Sequence, residues 1–483
     1  MRGLLSIVLL AVLGLASPTR AQSGDTGQVI DEALSALQPA VQVTGRDNRA
    51  RSLQELMQQA KVPGVSVAVF RDGRIVYARG FGVAEAGAPR PVTPDTLFQA
   101  ASISKPVTAT AALALVEQGT LDLDTPINAR LRSWQVPDSA AAQGEPITLR
   151  HLLTHTAGLT VHGFPGYAAG AALPTVPQIL DGAAPANTAA VRIDQQPGSA
   201  WRYSGGGFTV AQLLMAEVTG EPFPELLRRL VLTRAGLAHS TFAQPLPADR
   251  VPAAALGHRS DGTLIPGGFN TYPEMAAAGL WTTPSDLARW ALALSRAFEG
   301  AEDGPLRPET AAAMLTPGVG NFGLGIGVAG QGEWLRMSHN GANEGYRADL
   351  TAFPRRGEGI VIMTNSDSGT RLFAPIIITV GKALGWPVPS PRVITPVEVP
   401  AQALADAAGR YTGFGQTVDV RVNGQVLRVT IDNGPPPSDI FPQGNDLYLP
   451  EEGPPIRFVR DADGRVTGLE AMGSVLQRAG DAP

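Results

Sequence analysis

No cysteine occurs among the 483 residues of this chain. Its absence excludes disulfides, zinc–thiolate sites, iron–sulfur clusters and thiol nucleophiles together. A basic surplus is lacking too, because 38 lysines and arginines stand against 43 aspartates and glutamates and give a net charge of −5. We therefore expect no nucleic-acid partner.

Long apolar runs are absent except at the N-terminus. Arg2 precedes a largely apolar run from Leu4 to Leu15, and a short polar stretch then ends at the small residue Ala21. This order predicts a signal peptide over residues 1–21. The run is too short to span about 30 Å of hydrocarbon. We therefore expect an exported protein, periplasmic or secreted, whose mature chain has no membrane span.

Residues 22–386 carry strand patterns near both ends and helix patterns between them. The patterns lie at Val65–Phe70, Ile75–Ala78, Leu350–Phe353 and Gly359–Thr364 for strands, and at Ser52–Gln59, Ser102–Gln118, Pro224–Leu232, Ser285–Phe298 and Phe373–Leu384 for helices. This order predicts an α+β domain, in which N- and C-terminal segments complete one antiparallel sheet.

The C-terminal part of the chain has a different pattern. Five prolines within residues 387–400 predict a stiff linker. In residues 401–483, alternating valines around Val420 and the turn Asn423-Gly424 predict a small all-β meander or barrel.

Lysine is the scarcest charged residue. Lys61, Lys105 and Lys382 are the only lysines, so arginine supplies 35 of the 38 basic residues. Arginine does not lose its proton in a protein, whereas a desolvated lysine does. Lys105 follows Ser102 by three residues at the start of a predicted helix, which puts both on one face. A neutral Lys105 would activate the Ser102 hydroxyl as a nucleophile.

Two further segments carry groups that suit the same chemistry. Tyr203 precedes the glycine-rich stretch Ser204-Gly205-Gly206-Gly207 and offers a phenol for proton relay. His339-Asn340-Gly341-Ala342 ends an apparent strand, where Gly341 lets a substrate approach the backbone. The N–H groups of Ala342 and Ser102 are candidate oxyanion donors.

These motifs together resemble the serine β-lactamase-related superfamily. S-x-x-K at Ser102, Y-S-x at Tyr203 and H-x-G at His339 are similar to its class C-type group, which includes DD-peptidases, D-aminopeptidases and esterases. The stretches 148–159 and 278–287 also resemble that group. The resemblance implies a β-lactamase/transpeptidase-like antiparallel sheet flanked by helices, with a mainly helical subdomain, and a lipocalin-like β module at the C-terminus.

The resemblance also implies acyl transfer through an ester on Ser102. Lys105 and Tyr203 would share the general-base and general-acid duties, with the first base left open between them. His339 would line the cleft near the substrate carboxylate or Tyr203. The expected substrates are small esters, D-amino-acid peptides or β-lactams, with no cofactor. No metal is expected either, because the i, i+4 pair His151 and His155 lacks the zincin glutamate.

Two departures from the family pattern favour an esterase or peptidase over an antibiotic-destroying enzyme. Gly205 stands where efficient β-lactamases often have asparagine, and His339 where they tend to have lysine. The open alternatives are a weak β-lactamase and a penicillin-binding sensor that acylates without turnover. We further predict that residues 401–483 cap or shape the cleft and limit substrate size.

Overall fold

The computed structural model describes residues 23–413, 416–432, 437–451, 453–471 and 474–479. The predicted signal peptide, residues 1–21, lies outside the described residues. Within those ranges, none of the helices is both long enough and apolar enough to cross a bilayer.

The α-helices of the described residues are concentrated between the N-terminal and C-terminal strands. They are α1 (Ser23–Ser35), α2 (Leu53–Ala60), α3 (Ser104–Glu117), α4 (Leu149–Leu153), α5 (Val176–Asp181), α6 (Gly205–Thr219), α7 (Phe223–Leu227), α8 (Met275–Ala278), α9 (Pro284–Phe298), α10 (Pro308–Met314), α11 (Thr370–Leu384) and α12 (Ala401–Ala407).

The strands fall into a group before residue 400 and a group after it. The first group is β1 (Val41–Val43), β2 (Gly64–Arg71), β3 (Arg74–Gly82), β4 (Phe98–Gln99), β5 (Trp281–Thr282), β6 (Gly327–Ala329), β7 (Arg336–Asn343), β8 (Tyr346–Phe353), β9 (Glu358–Thr364) and β10 (Arg392–Ile394). The second is β11 (Gly409–Gly413), β12 (Gln416–Asn423), β13 (Val426–Ile431), β14 (Ser438–Gly444), β15 (Leu447–Pro450), β16 (Ile456–Arg460), β17 (Val466–Ala471) and β18 (Ser474–Arg478).

A six-stranded antiparallel sheet forms the centre of the first domain. Its strand order is β3-β2-β9-β8-β7-β6, so the N-terminal hairpin joins the C-terminal strands, for example where Val67 pairs with Ile362. The sheet confirms the predicted α+β fold, with chain ends that meet in one sheet.

Both faces of this sheet are buried. Successive side chains of a strand point to opposite faces, so each strand contributes to two apolar clusters. In β2, Val65 and Val67 belong to an apolar cluster with α1, α2 and α11. Ala68 and Phe70 belong to the larger cluster on the other face, which includes α3, α6 and α9. Helices therefore cover the sheet on both sides, and the segment around Ser102 lies on the α3 side.

Residues after the linker form a closed eight-stranded barrel. Strands β11 to β18 are neighbours in chain order, and β11 also pairs with β18 where Tyr411 faces Arg478. Full closure leaves no unpaired sheet edge, and the barrel confirms the predicted all-β module. The proline-rich segment is anchored before it reaches the barrel, since Arg392–Ile394 pairs in parallel with Val41–Val43.

The barrel is attached to the sheet face opposite Ser102. Phe441 of the barrel packs in one apolar cluster with Val43 and Ile394, and Arg46 forms an ion pair of 3.4 Å with Asp439. These contacts lie on the side of α1 and α11. They do not support the prediction that the barrel caps the cleft at Ser102.

Candidate active site

The turn that holds Ser102 is strained. Ser102 lies in a 3₁₀ turn over Ala101–Ile103, and α3 begins at Ser104, so the α-helix starts later than the predicted Ser102. Ala101 has a φ of +50°, a left-handed conformation that costs a non-glycine residue on the order of 1–3 kcal/mol. The side chain of Ser102 remains partly exposed to solvent.

Gly341 of β7 packs directly against this turn. A Cβ at Gly341 would lie 2.2 Å from the carbonyl oxygen of Ala100 and 3.1 Å from the Cβ of Ala101. Glycine therefore allows the strand to approach the turn, which is a packing role next to Ser102. A substrate contact at Gly341 stays a prediction.

Lys105 is within hydrogen-bond distance of Ser102 and almost free of solvent. Its Nζ lies 3.1 Å from Oγ of Ser102 and donates to the carbonyl oxygen of Ala277 at 2.8 Å. Only 1% of the residue is exposed. Burial lowers the pKa of Lys105 to about 7, because the charged form loses its hydration. At neutral pH a large fraction of this amine is therefore unprotonated.

Tyr203 lies beside both residues. Nζ of Lys105 is 4.8 Å from the centre of the Tyr203 ring. Burial raises the pKa of Tyr203, and the Ser102 hydroxyl bonded to the phenol opposes that shift. The phenol is consequently neutral at pH 7. The structure thus brings together all three predicted catalytic side chains, which are distant in sequence.

The glycines after Tyr203 belong to a helix. The sequence predicts a glycine-rich loop here, whereas Gly205–Gly207 form the first turn of α6 and Ser204 caps it by accepting a hydrogen bond from the N–H of Gly207. A Cβ at Gly205 would lie 2.9 Å from the Phe164 ring and 3.0 Å from the carbonyl oxygen of His162. Close packing, which short-range sequence patterns do not reveal, is the reason for glycine at this position.

His155 holds Tyr203 in place, a role the sequence analysis missed. Its carbonyl oxygen accepts from the N–H of Arg202, and its Nδ1 accepts from the N–H of Ser204 at 3.2 Å. Its ring lies 4.3 Å from the Tyr203 ring, measured between centroids. His155 itself has a φ of +57°. The signal available in the sequence was the family resemblance of the stretch 148–159, which contains His155.

The histidines around Lys105 are held neutral. Burial lowers the pKa of His339 to about 3, and the positive charge of Lys105 contributes to the same shift. Burial and Lys105 also lower the pKa values of His155 and His162. His339 lies in β7, and its Nδ1 is 2.7 Å from the carbonyl oxygen of Asn340. At pH 7 it therefore offers no positive charge to a substrate carboxylate.

Ala342 presents its N–H at an open edge of β7. The two-residue turn after Asn343 makes Asn343 and Tyr346 a hydrogen-bonded pair. Backbone N–H groups along a strand point alternately to its two sides, so the N–H of Ala342 points away from β8. On that side β6 pairs with β7 only as far as Ser338, which leaves the edge at Ala342 open. Since the neighbouring Gly341 touches the Ser102 turn, this N–H borders the same cleft and suits a developing oxyanion.

The i, i+4 pair of histidines does not share a ligand site. His151 belongs to the cap of α4, where its Nδ1 accepts from the N–H of Thr148 at 3.4 Å. His155 lies beyond the end of α4 and faces Tyr203. The described residues contain no group of three or more His, Asp or Glu side chains that could hold a metal ion.

Comparison with known proteins identifies the family. The family model described as Beta-lactamase matches residues 49–382, which include all of the site described above. This chain belongs to the beta-lactamase family. The family consists of serine hydrolases, so the protein is a hydrolase, as the motifs predict.

Relatives within the beta-lactamase family differ in their described activities. The putative penicillin-binding protein PbpX of Bacillus subtilis is 27% identical over 320 residues, which cover 65% of this chain and 73% of that protein. Esterase EstB of Burkholderia gladioli is 32% identical over 202 residues, which cover 40% of this chain and 50% of EstB. Family membership therefore leaves the substrate to be argued from the site.

A solved structure extends the similarity to the barrel. The crystal structure of SurE with D-Leu has a TM-score of 0.58 and 22% sequence identity, and the match covers 94% of this chain and 100% of that one. At this identity the likeness concerns the fold alone. The fold of nearly the whole chain, including most of the barrel, therefore has a counterpart in a solved structure.

Proposed function

We propose that the protein hydrolyses small esters without a net charge through a covalent acyl-enzyme on Ser102. The proton of the Ser102 hydroxyl passes to Nζ of Lys105 while Oγ attacks the ester carbonyl carbon. The tetrahedral intermediate then collapses, its C–O bond to the alcohol breaks, and the alcohol leaves with a proton from the Lys105–Tyr203 pair. Water attacks the acyl-enzyme in the second half, and a carboxylic acid is released.

The observation that carries this proposal is the contact of 3.1 Å between Lys105 and Ser102. A general base must be within hydrogen-bond reach of the proton it takes and needs a pKa near the working pH. Lys105 meets both conditions, with a pKa of about 7. The raised pKa of Tyr203 makes the phenol a proton donor at pH 7. We therefore assign the first proton transfer to Lys105.

The uncharged state of His339 supports a neutral substrate. A carboxylate-bearing β-lactam or peptide needs a positive partner in the cleft, and His339 is uncharged at pH 7, since its pKa is about 3. Aromatic rings line the same region: Trp201, which is 39% exposed, lies 5.9 Å from Phe322 between ring centres. Such a wall binds apolar groups of an ester rather than charged ones.

The experiment compares three substrates on the purified protein: p-nitrophenyl butyrate, a D-Ala-D-Ala peptide and nitrocefin. We expect the ester to have the highest kcat/KM. Ser102→Ala is expected to abolish ester turnover and labelling by a fluorophosphonate. Ser199→Ala, which changes an exposed serine of the loop before Trp201, is the matched control and is expected to keep both.

Each alternative has its own result in the same experiment. A nitrocefin rate far above the ester rate would make the protein a β-lactamase. A penicillin adduct that persists in mass spectrometry, together with no ester turnover, would make it a sensor. Ester turnover by Ser102→Ala equal to that of the unchanged protein would refute the site itself.

We also propose that the protein is exported, to the periplasm or the medium. The support is the order of charged, apolar and small residues in 1–21. N-terminal sequencing of protein from the extracytoplasmic fraction is expected to begin after Ala21. Recovery of the full-length chain from the cytoplasm alone would contradict export.

A further inference from the structure

A cavity lies on the α11 side of the sheet, opposite Ser102, beside the segment that follows β15. Its volume is about 530 Å³, within the usual range for small-ligand sites. Four arginines line it, Arg49, Arg51, Arg371 and Arg392, and we call it the arginine cleft. Neither the family membership nor the proposed hydrolysis accounts for it.

The arginines are fixed by three separate parts of the backbone. Arg51 exchanges two backbone hydrogen bonds with Leu37, Arg371 lies in the first turn of α11, and Arg392 begins β10. Because the backbone around each is held by regular structure or paired hydrogen bonds, the guanidinium groups converge without a folding step at the time of binding. Preorganisation of this kind lowers the entropic cost of capturing a ligand.

Arg49 and Arg51 keep some of their donors available, whereas Arg392 donates to the carbonyl oxygens of Pro450 and Glu451. Arg49 and Arg51 share the carboxylate of Asp47, and Arg49 also pairs with Glu55. Each guanidinium has five N–H donors, so these pairs leave donors over. Nε of Arg51 is buried and has no hydrogen-bond partner within the described part of the chain.

Arginine predominates among the described charged residues that line the cavity. Four of these residues are arginines and one, Glu451, is acidic. Asp47 and Glu55, which pair with Arg49 and Arg51, do not line the cavity. Guanidinium forks match carboxylate and phosphate oxygens geometrically, which indicates an anionic ligand.

The rest of the wall is apolar. Leu56, Pro375 and Ile378 line the cavity together with Leu37 and Val41. A free inorganic anion would leave this surface in contact with water, whereas an alkyl chain would cover it. The cavity therefore combines an anion-binding rim with an apolar wall.

We propose that the arginine cleft binds an amphipathic anion, whose carboxylate or phosphate head contacts the arginines while its alkyl chain lies on the apolar wall. The proposal is independent of ester hydrolysis at Ser102. The barrel contributes Glu451 and Gly453, which follow β15, to the lining of this site.

Calorimetric titration of the full-length protein tests the proposal with octanoate, octyl phosphate and octanol. We expect one saturable site, with an anion bound at least about tenfold more tightly than octanol, because charge-assisted hydrogen bonds add to the shared apolar contact. The anion that binds more tightly identifies the head group. Equal binding of octanol, or no saturable binding of either anion, would overturn the proposal.

Variants locate the site. Arg49→Gln with Arg51→Gln is expected to weaken anion binding about tenfold or more, since two charged partners are lost. The matched control, Arg74→Gln with Arg421→Gln, removes the same charge from exposed positions elsewhere and should leave affinity within about twofold. An equal loss in both double variants would contradict the assignment.

A blocking variant separates this cavity from the Ser102 cleft. Ala374 is an exposed residue of α11 that lines the cavity, so Ala374→Phe fills it from a position that tolerates a larger side chain. We expect loss of octanoate binding with unchanged p-nitrophenyl butyrate hydrolysis, which also reports that the variant is folded. Octanoate binding that survives Ala374→Phe would place the ligand elsewhere.

Discussion

The Ser102 cleft, formed by Ser102, Lys105, Tyr203 and His339, differs from the arginine cleft in how its titratable groups are compensated. Those of the Ser102 cleft are desolvated and form no ion pair with any described residue. Arg49 and Arg51 of the arginine cleft are paired with carboxylates. In the first region desolvation is the largest cause of each pKa shift. In the second region the arginines retain their charge. Burial without a partner adjusts proton affinity, and pairing near the surface preserves charge for a ligand.

Glu274, near the Ser102 cleft, is also a titratable group whose pKa is shifted by burial. This residue directly precedes α8, the helix whose Ala277 carbonyl accepts from Lys105. It is fully buried, and neither carboxylate oxygen has a hydrogen-bond partner among the described residues. Burial raises the pKa of Glu274 to about 7. The catalytic side of the molecule thus contains both an amine and a carboxyl group that titrate near neutrality.

Lys105→Arg should cause the largest loss of ester hydrolysis. Arginine keeps a positive charge but does not deprotonate, so Ser102 loses its base. We expect ester kcat/KM to fall by about 10³-fold or more. Lys382→Arg, a change in the last turn of α11, is the control and should have no effect. Comparable activity in Lys105→Arg would show that proton transfer does not depend on a neutral amine.

The pH profile of the unchanged protein sharpens the same point. A base with a pKa of about 7 is deprotonated to the extent of about one part in a hundred at pH 5. Ester kcat/KM should therefore rise about 50-fold between pH 5 and pH 7 and level off above pH 8, about 100-fold higher than at pH 5. His339, with a pKa of about 3, does not contribute in this range. A rate independent of pH from 5 to 8 would contradict a titrating Lys105.

Glu274→Gln should change how stability depends on pH. The pKa of Glu274 rises from 4.5 to about 7 on folding, so the native state binds a proton that the unfolded state releases between those values. Stability contributed by this group is present below pH 4.5 and is lost as pH rises to 7, by about 3 kcal/mol. Glu274→Gln should remove that loss, so its stability relative to the unchanged protein should be higher at pH 8 than at pH 4.

Denaturant unfolding at pH 4, 5.5, 7 and 8 measures this effect. Glu302→Gln, at an exposed position, is the control and should follow the unchanged protein at each pH. A Glu274→Gln variant with the same pH slope as the unchanged protein would mean that this carboxyl group ionises in the folded state as freely as in the unfolded one.

Salt gives the smallest effect and separates the two regions directly. Raising NaCl from 50 to 500 mM should weaken octanoate binding several-fold, to about a third or less, because the arginine cleft is near the surface and its charges are screened. Hydrolysis of a neutral ester at Ser102 should change by less than about 1.5-fold, since neither the substrate nor the buried amine depends on screening. Equal salt sensitivity in both assays would contradict the difference between screened charges in the arginine cleft and a buried amine in the Ser102 cleft.

The sequence was informative where chemistry depends on residue type. The scarcity of lysine drew attention to Lys105, and the motif spacing associated it with Ser102 and Tyr203, which the structure brings together. The six-stranded sheet and the closed barrel were predictable in kind, because alternating patterns and turn residues are local signals. The roles of His155 and Gly341 were not, because both depend on contacts between segments far apart in the chain.

The sequence by itself determined which groups are available, namely one lysine near a serine, a tyrosine before a glycine-rich stretch, and arginine for almost every other positive charge. Only the tertiary structure decided their properties. Desolvation by surrounding helices brings the pKa of Lys105 near neutrality and keeps His339 uncharged. The fold of the first domain and the linker brings arginines that are distant in sequence to a single cavity. Burial and convergence are properties of packing, which no short stretch of sequence specifies.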